Sequence, residues 1–164
     1  MPASRYGGEG IELALAERIH NDFTHTRVPG LTENPLILIE RPAPGDIEPY
    51  VYISCVDSEE VDITSSGASR IYYITAQVVT RSTHNQSAEQ QRDLIADEIV
   101  RIIDVQPSSY LNLVNEGYNI YIQNVKDVLP YHSEGRGATY WFSNINIEIT
   151  ANFIDLPQDR DPVQ

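Results

Sequence analysis

The sequence predicts an α+β fold: a mainly antiparallel sheet with two helices packed on one face, in a single domain. Three observations predict it. Apolar and polar residues alternate over residues 50–56, 70–81 and 139–153, the period of two that belongs to strands. Apolar residues recur at spacings of three and four over residues 11–23 and 87–103, which makes two one-sided helices. The strands fall as hairpin-like neighbours, and the two helices are the only elements able to cover the apolar face of the sheet.

In chain order, residues 1–10 are small, polar and Gly-rich and read as a flexible arm. Ile11, Ala14, Leu15, Ile19 and Phe23 form the stripe of the first helix, with Glu9 and Glu12 near the positive end of its dipole. The run Leu36-Ile37-Leu38-Ile39 reads as a short buried strand, and the prolines at 42 and 44 break the pattern after it. From Tyr50 onward, Val51, Ile53 and Cys55 share one strand face while Tyr50, Tyr52 and Ser54 share the other. Residues 57–69 are polar and read as an acidic loop, in which Val61 and Ile63 could extend a hairpin arm.

A long strand follows at 70–81, with Tyr72, Ile74, Ala76 and Val78 on one side and Tyr73, Thr75, Gln77 and Val79 on the other. Ser87 and Gln90 have the form of a capping box. The helix behind them carries Ile95, Ala96, Ile99, Ile102 and Ile103 on one stripe, and Asp97 with Arg101 is spaced as an i,i+4 ion pair. Residues 108–117 are ambiguous between a short helix and a loop. Residues 119–128 read as a strand with a bulge, 131–138 as a hairpin loop, and 139–153 as the clearest strand. The expected organisation is an arm at 1–10, one domain at 11–154 and a flexible Pro/Asp-rich tail at 155–164.

A chain of 164 residues buries about 68–70% of its unfolded surface and needs no staple to fold. No apolar run reaches the length of a membrane span, and the start of the chain has no apolar core of a secretory signal. With one cysteine there is no internal disulfide and no Cys cluster for zinc. The net charge of −13 opposes wrapping nucleic acid, though it does not exclude a surface that lets DNA pass without sticking.

No nucleophile elbow, phosphate loop, dinucleotide fingerprint or metalloprotease motif occurs. His20 and His25 are five apart, which is not the spacing of a metal pair on one helix face. Cys55 sits at an in-facing strand position and reads as core. Asp57, Glu59, Glu60 and Asp62 lack the spacing of a calcium loop and read as solvated acids. No catalytic residue, cofactor or metal site is therefore expected.

Two patterns remain open. Tyr140, Asn144 and Asn146, with the residues that alternate with the core of the last strand, form either a wet sheet face or a partner surface. Tyr72 and Tyr73 place tyrosine on both faces of the long strand, which favours an assembly. Arg136, between two glycines, is a loop charge or an inter-subunit contact.

The order of elements carries a resemblance. A short N-terminal helix precedes a Tyr-rich strand (residues 71–79). A brief polar loop then leads into the Ala88-Glu89-Gln90-Gln91-Arg92-Asp93-Leu94-Ile95 helix, and two strands close the chain. Over roughly residues 10–153 this resembles the tail terminator (tail-completion) proteins of long-tailed bacteriophages. The resemblance implies a non-catalytic subunit without a cofactor, assembled in the host cytoplasm into a homohexameric ring. That ring caps the last ring of the tail-tube protein, stops tube growth and meets neck or head-completion proteins. On that reading Asp57, Glu59, Glu60 and Asp62 would line the channel. Tyr72, Tyr73, Arg136, Tyr140, Asn144 and Asn146 would meet neighbours, and DNA would be only a passenger. The competing readings are another neck ring (a head–tail connector or head-closure protein), a small enzyme or ligand-binding domain, and a tail-tube protein.

Overall fold

The computed structural model describes residues 8–42, 47–64, 67–82, 87–105, 118–135 and 137–153. Most of the expected arm, the stretch 108–117, Arg136 and the expected tail lie outside the described residues. The elements run α1 (Glu9–Asp22), a 3-10 turn (His25–Arg27), β1 (Leu36–Leu38), β2 (Tyr50–Thr64), β3 (Gly67–Ser82), α2 (Ser87–Val100) with a π turn (Arg101–Val105), β4 (Tyr118–Gly135) and β5 (Ala138–Phe153). The strands make one sheet in the order β1-β2-β3-β5-β4. Every pair is antiparallel except β1 with β2. The fold is α+β, as the patterning predicts.

Alternation along the central strands decides which face is dry. Val51 and Ile53 of β2, Tyr72, Ile74, Ala76 and Val78 of β3, and Ile145, Ile147, Ile149 and Ala151 of β5 are all buried. They form one core with Ile11, Leu15 and Ile19 of α1 and Ile95, Ile99, Ile102 and Ile103 at the end of α2. Both helices therefore lie on the same side of the sheet. Removing one of the central isoleucine side chains would cost about 2–5 kcal/mol.

Three expectations are corrected. The run 36–39 is not a buried strand: β1 is a three-residue edge, paired with β2 alone, and Leu36 is exposed. The acidic stretch from Asp57 is not a loop, because β2 continues to Thr64 opposite Gly67 of β3; backbone pairing accepts charged residues wherever the strand faces reach water. Residues 131–135 are not hairpin loop either. β4 stays paired with β5 up to Gly135, held by Tyr131 stacked on Phe142 at 4.8 Å and His132 tilted on Trp141 at 5.2 Å. Pro130 is tolerated inside β4 because that strand is an edge. The expected bulge in β4 is two register slips, at Tyr121 and at Lys126.

Charged side chains fix the helices to the rest. Buried Glu98 of α2 pairs with Arg101, not the expected Asp97, and its other oxygen lies 3.8 Å from Arg27 after α1. The carboxylate thus ties the ends of both helices together. Arg92, also buried, donates to Asp93 and to the Tyr131 carbonyl and lies over the Trp141 ring at 5.6 Å. That side chain anchors the β4–β5 hairpin to α2.

At the start of α1, Gly8 adopts φ 77° and its carbonyl accepts the Glu12 N–H at 2.9 Å. A Cβ on Gly8 would stand 2.6 Å from Cys55 Sγ. Beyond Tyr52 the β1 side of β2 has no strand partner among the described residues, and Glu12 Oε1 accepts the Cys55 backbone N–H there at 2.7 Å. Burial is the main cause that raises the Glu12 carboxyl above its ordinary value; the Cys55 N–H opposes it and nearby Glu9 adds to it.

Gly8→Ala should lose about 1–3 kcal/mol in urea unfolding through overpacking and left-handed strain, and adding Cys55→Ala should recover part of that loss. Glu12→Ala should cost about 1–3 kcal/mol by orphaning the Cys55 N–H. Glu12→Gln keeps an acceptor without the charge. A carboxyl raised in the folded state stabilises most below its unfolded value of 4.5 and loses that contribution as pH rises through its folded value. The stability of Glu12→Gln relative to the parent chain should therefore increase between about pH 4 and about pH 7, as read from paired urea melts.

Candidate interaction surface

Among the described residues, the sheet face away from the helices is left uncovered by them. Its central zone is a ladder of side-chain hydrogen bonds. Thr75 donates to Asn146 at 2.9 Å, and Asn146 donates to Asp127 at 2.5 Å. Gln77 donates to Asn144 at 3.1 Å and to the Tyr131 hydroxyl at 2.8 Å. Ser69 donates to Asn152. Asn144 and Asn146, expected at an interface, thus lie on the open face and are engaged by their own sheet.

One end of this face is aromatic. The register sets Tyr50 and Phe142 on either side of Val79, with Tyr131 opposite Phe142 and Tyr140 opposite Arg81. Val79 is only 1% exposed although neither described α-helix lies on this side. The rings make a second small core of their own. Around it Leu129 is 52% and Tyr131 41% exposed. Two guanidinium groups lie on the rings, Arg41 at 5.3 Å from the Tyr52 centroid and Arg81 at 5.9 Å from Tyr140. Burial raises the Tyr50 phenol, nearby Glu48 adds to this, and Arg41 opposes it.

The other end is acidic. A register slip between Cys55 and Asp57 leaves Val56 as an extra residue, 65% exposed. The slip puts Asp57 opposite Tyr73 and Glu59 opposite Ile71, on the open face, while Glu60 faces the other way opposite Arg70. Asp62 pairs with Ser69 after a second slip. The four acids therefore do not share one face. Glu148 joins the acidic end and is bridged by Lys126 at 3.2 Å. Tyr73 donates to Glu59 at 2.5 Å, and that bond, ahead of burial and the neighbouring acids, pushes its phenol up to about 12.

The remaining candidates are dispersed. Tyr72 is fully buried among the helices and is no surface residue, because its parity on β3 is that of Ile74. Tyr140 stands at the aromatic end. Sequence reading missed Tyr50, Tyr131, Phe142, Arg41 and Arg81; the signal was the shared parity of Tyr50, Tyr52 and Tyr140 with polar positions. His20 lines a shallow groove of about 210 Å³ between α1 and β1 with Leu13, Ala16, Glu17, Ile37 and Ile39. The His25 backbone N–H donates to Asn34 Oδ1, and His132 lies on Trp141. Burial raises the Cys55 thiol, and Glu12 adds to this. No group of three His, Cys, Asp or Glu able to hold a metal occurs among the described residues, and no helix there is long and apolar enough to cross a membrane.

No family model matches the chain and no curated protein matches it. The fold is similar to that of a chain in the virion of a native gene transfer agent particle. The two superpose with a TM-score of 0.54 at 13% identity, over 90% of this chain and 99% of that one. At that identity the likeness is one of fold.

The Glu59–Tyr73 bond sets a titration. The Tyr73 phenol, raised above 10.0 to about 12, should titrate at that raised value in a ring-carbon NMR titration. Glu59→Gln should bring it back toward its ordinary value. A raised phenol adds stability below its unfolded value and loses it as pH rises through about 12, so the variant should show a weaker alkaline loss of stability.

Proposed function

We propose that the chain is a virion structural protein of a phage-like particle: a subunit that forms a ring, caps the tail tube, ends its polymerisation and joins the tail to the neck. The observation that carries this reading is the fold shared over nearly the whole length of a gene transfer agent virion chain. A broad sheet face with two separate chemistries agrees with a subunit whose neighbours do the recognising. On this reading the chain performs no catalysis and takes no cofactor, its partners are the tail-tube protein and a neck or head-completion protein, and DNA passes without adhering. A hexamer is the expected ring.

The competing place in the particle is another neck ring, a head–tail connector or head-closure protein. Partner identity separates the two, because a terminator alone binds the tube protein.

The purified chain, mixed with isolated tail tubes and viewed by negative-stain electron microscopy, should decorate one tube end only. Tube subunits polymerised in its presence should stop short. Tubes of unchanged length with bare ends would favour the other neck positions.

A further inference from the structure

The open face holds an acidic arm and a cationic aromatic patch that are too far apart to meet within one chain. Position 73 of β3 marks the acidic end and position 79 the aromatic end, a separation of about 20 Å along a strand. We propose that the acidic β2–β3 arm of one copy docks on the arginine–aromatic end of the next copy, head to tail. The inference rests on the ring-forming reading above and adds which surfaces meet.

Charge complementarity selects the occupant. The patch presents Arg41 and Arg81 with Glu48 beside Tyr50, on a chain whose net charge is −13, so a short acidic segment that reaches the two guanidinium groups suits it better than a long polyanion, which would also meet Glu48 and the surrounding acids. The arm supplies such a segment: Asp57 and Glu59 on the open face, beside exposed Val56 at the bulge. The patch offers apolar contact for Val56 through exposed Leu129 and Tyr131. Its guanidinium groups already lie on Tyr52 and Tyr140, so little further ordering is needed on docking.

The layout also sets the symmetry. The arm occupies one end of β2–β3, and the patch, from Arg41 beside β2 to Leu129 on β4, crosses the other end of the sheet. A copy that offers its arm keeps its own patch free for a third. Such a heterologous contact continues around a ring, where a two-fold contact would stop at a dimer.

The test uses two variants of the full chain. The arm variant is Asp57→Arg with Glu59→Arg; the patch variant is Arg41→Glu with Leu129→Glu. Arg41, Asp57, Glu59 and Leu129 are all exposed, and both variants should fold, the arm variant melting slightly below the parent chain for its lost Tyr73–Glu59 bond. A Leu129→Lys single variant, read in the same way, replaces any patch variant that melts early. In sedimentation velocity the parent chain should associate beyond a dimer as concentration rises. Each variant alone should associate at least about tenfold more weakly. The arm and patch variants mixed should associate again, because the intact patch meets the intact arm and the reversed arm faces a reversed patch.

A parent chain that stays monomeric at millimolar concentration, or stops at a symmetric dimer, overturns the proposal. So does unchanged association of both variants, or binding of a polyanion such as heparin at the patch while copies stay apart. Tube-end decoration is read separately. Pairing without decoration would sink the proposed function and leave this contact standing; decoration unaffected by either variant would do the reverse.

Discussion

The whole architecture follows from an imbalance of cover. Five strands create two sheet faces, and the two α-helices lie on one of them. The covered face can be apolar and is filled with isoleucine, valine and alanine. Among the described residues the other face has no overlying layer and satisfies itself. It does so in zones: a ladder of Asn, Gln and Thr at the centre, aromatic rings at one end and carboxylates at the other. Each zone holds itself together by contacts across strands, the unit in which a sheet is stabilised.

The same imbalance explains where buried charge sits. Glu98 and Arg92 lie on α2, at the margins where the helical layer runs out. Each links an element that the apolar core does not reach: Glu98 the turn after α1, and Arg92 the distal part of β4. Breaking such a contact strands a charge out of water, which costs more than the pair contributes when intact. These residues therefore set the placement of elements more than the depth of the energy well.

Much of this was legible in the sequence. Period-two alternation in β3 and β5 sorted Ile74 from Thr75 and Ile147 from Asn146 correctly, because those strands are central and their register is pinned on both sides. The two helices were legible for the same reason: one face of each is in the core. What could not be read was strand length where polarity is high. Asp57 to Thr64 and Tyr131 to Gly135 look like loops by composition, yet both are laddered, since pairing depends on the partner strand and not on hydrophobicity. The aromatic end of the open face was illegible because it is assembled from β2, β3, β4 and β5, with Arg41 from the loop after β1. Arg101 pairs with Glu98 in place of Asp97 because Glu98 is the buried carboxylate, and burial is not visible in the spacing alone.

The two register slips in β2 have a consequence for how this surface can change. Val56 opens a window of reversed side-chain parity, and the second slip at Val61 closes it, so that only residues 57–60 are turned over relative to the rest of the strand. Inside that window, which acids face outward is governed by residue count. Substitution can alter a charge there but cannot move it to the other side of the sheet. Losing Val56 would only erase the bulge and leave Asp57 and Glu59 outward, whereas losing Ser58 would turn Glu59 inward and Glu60 outward at a stroke, with the slip at Val61 absorbing the change. The face of this arm is written in insertions and deletions.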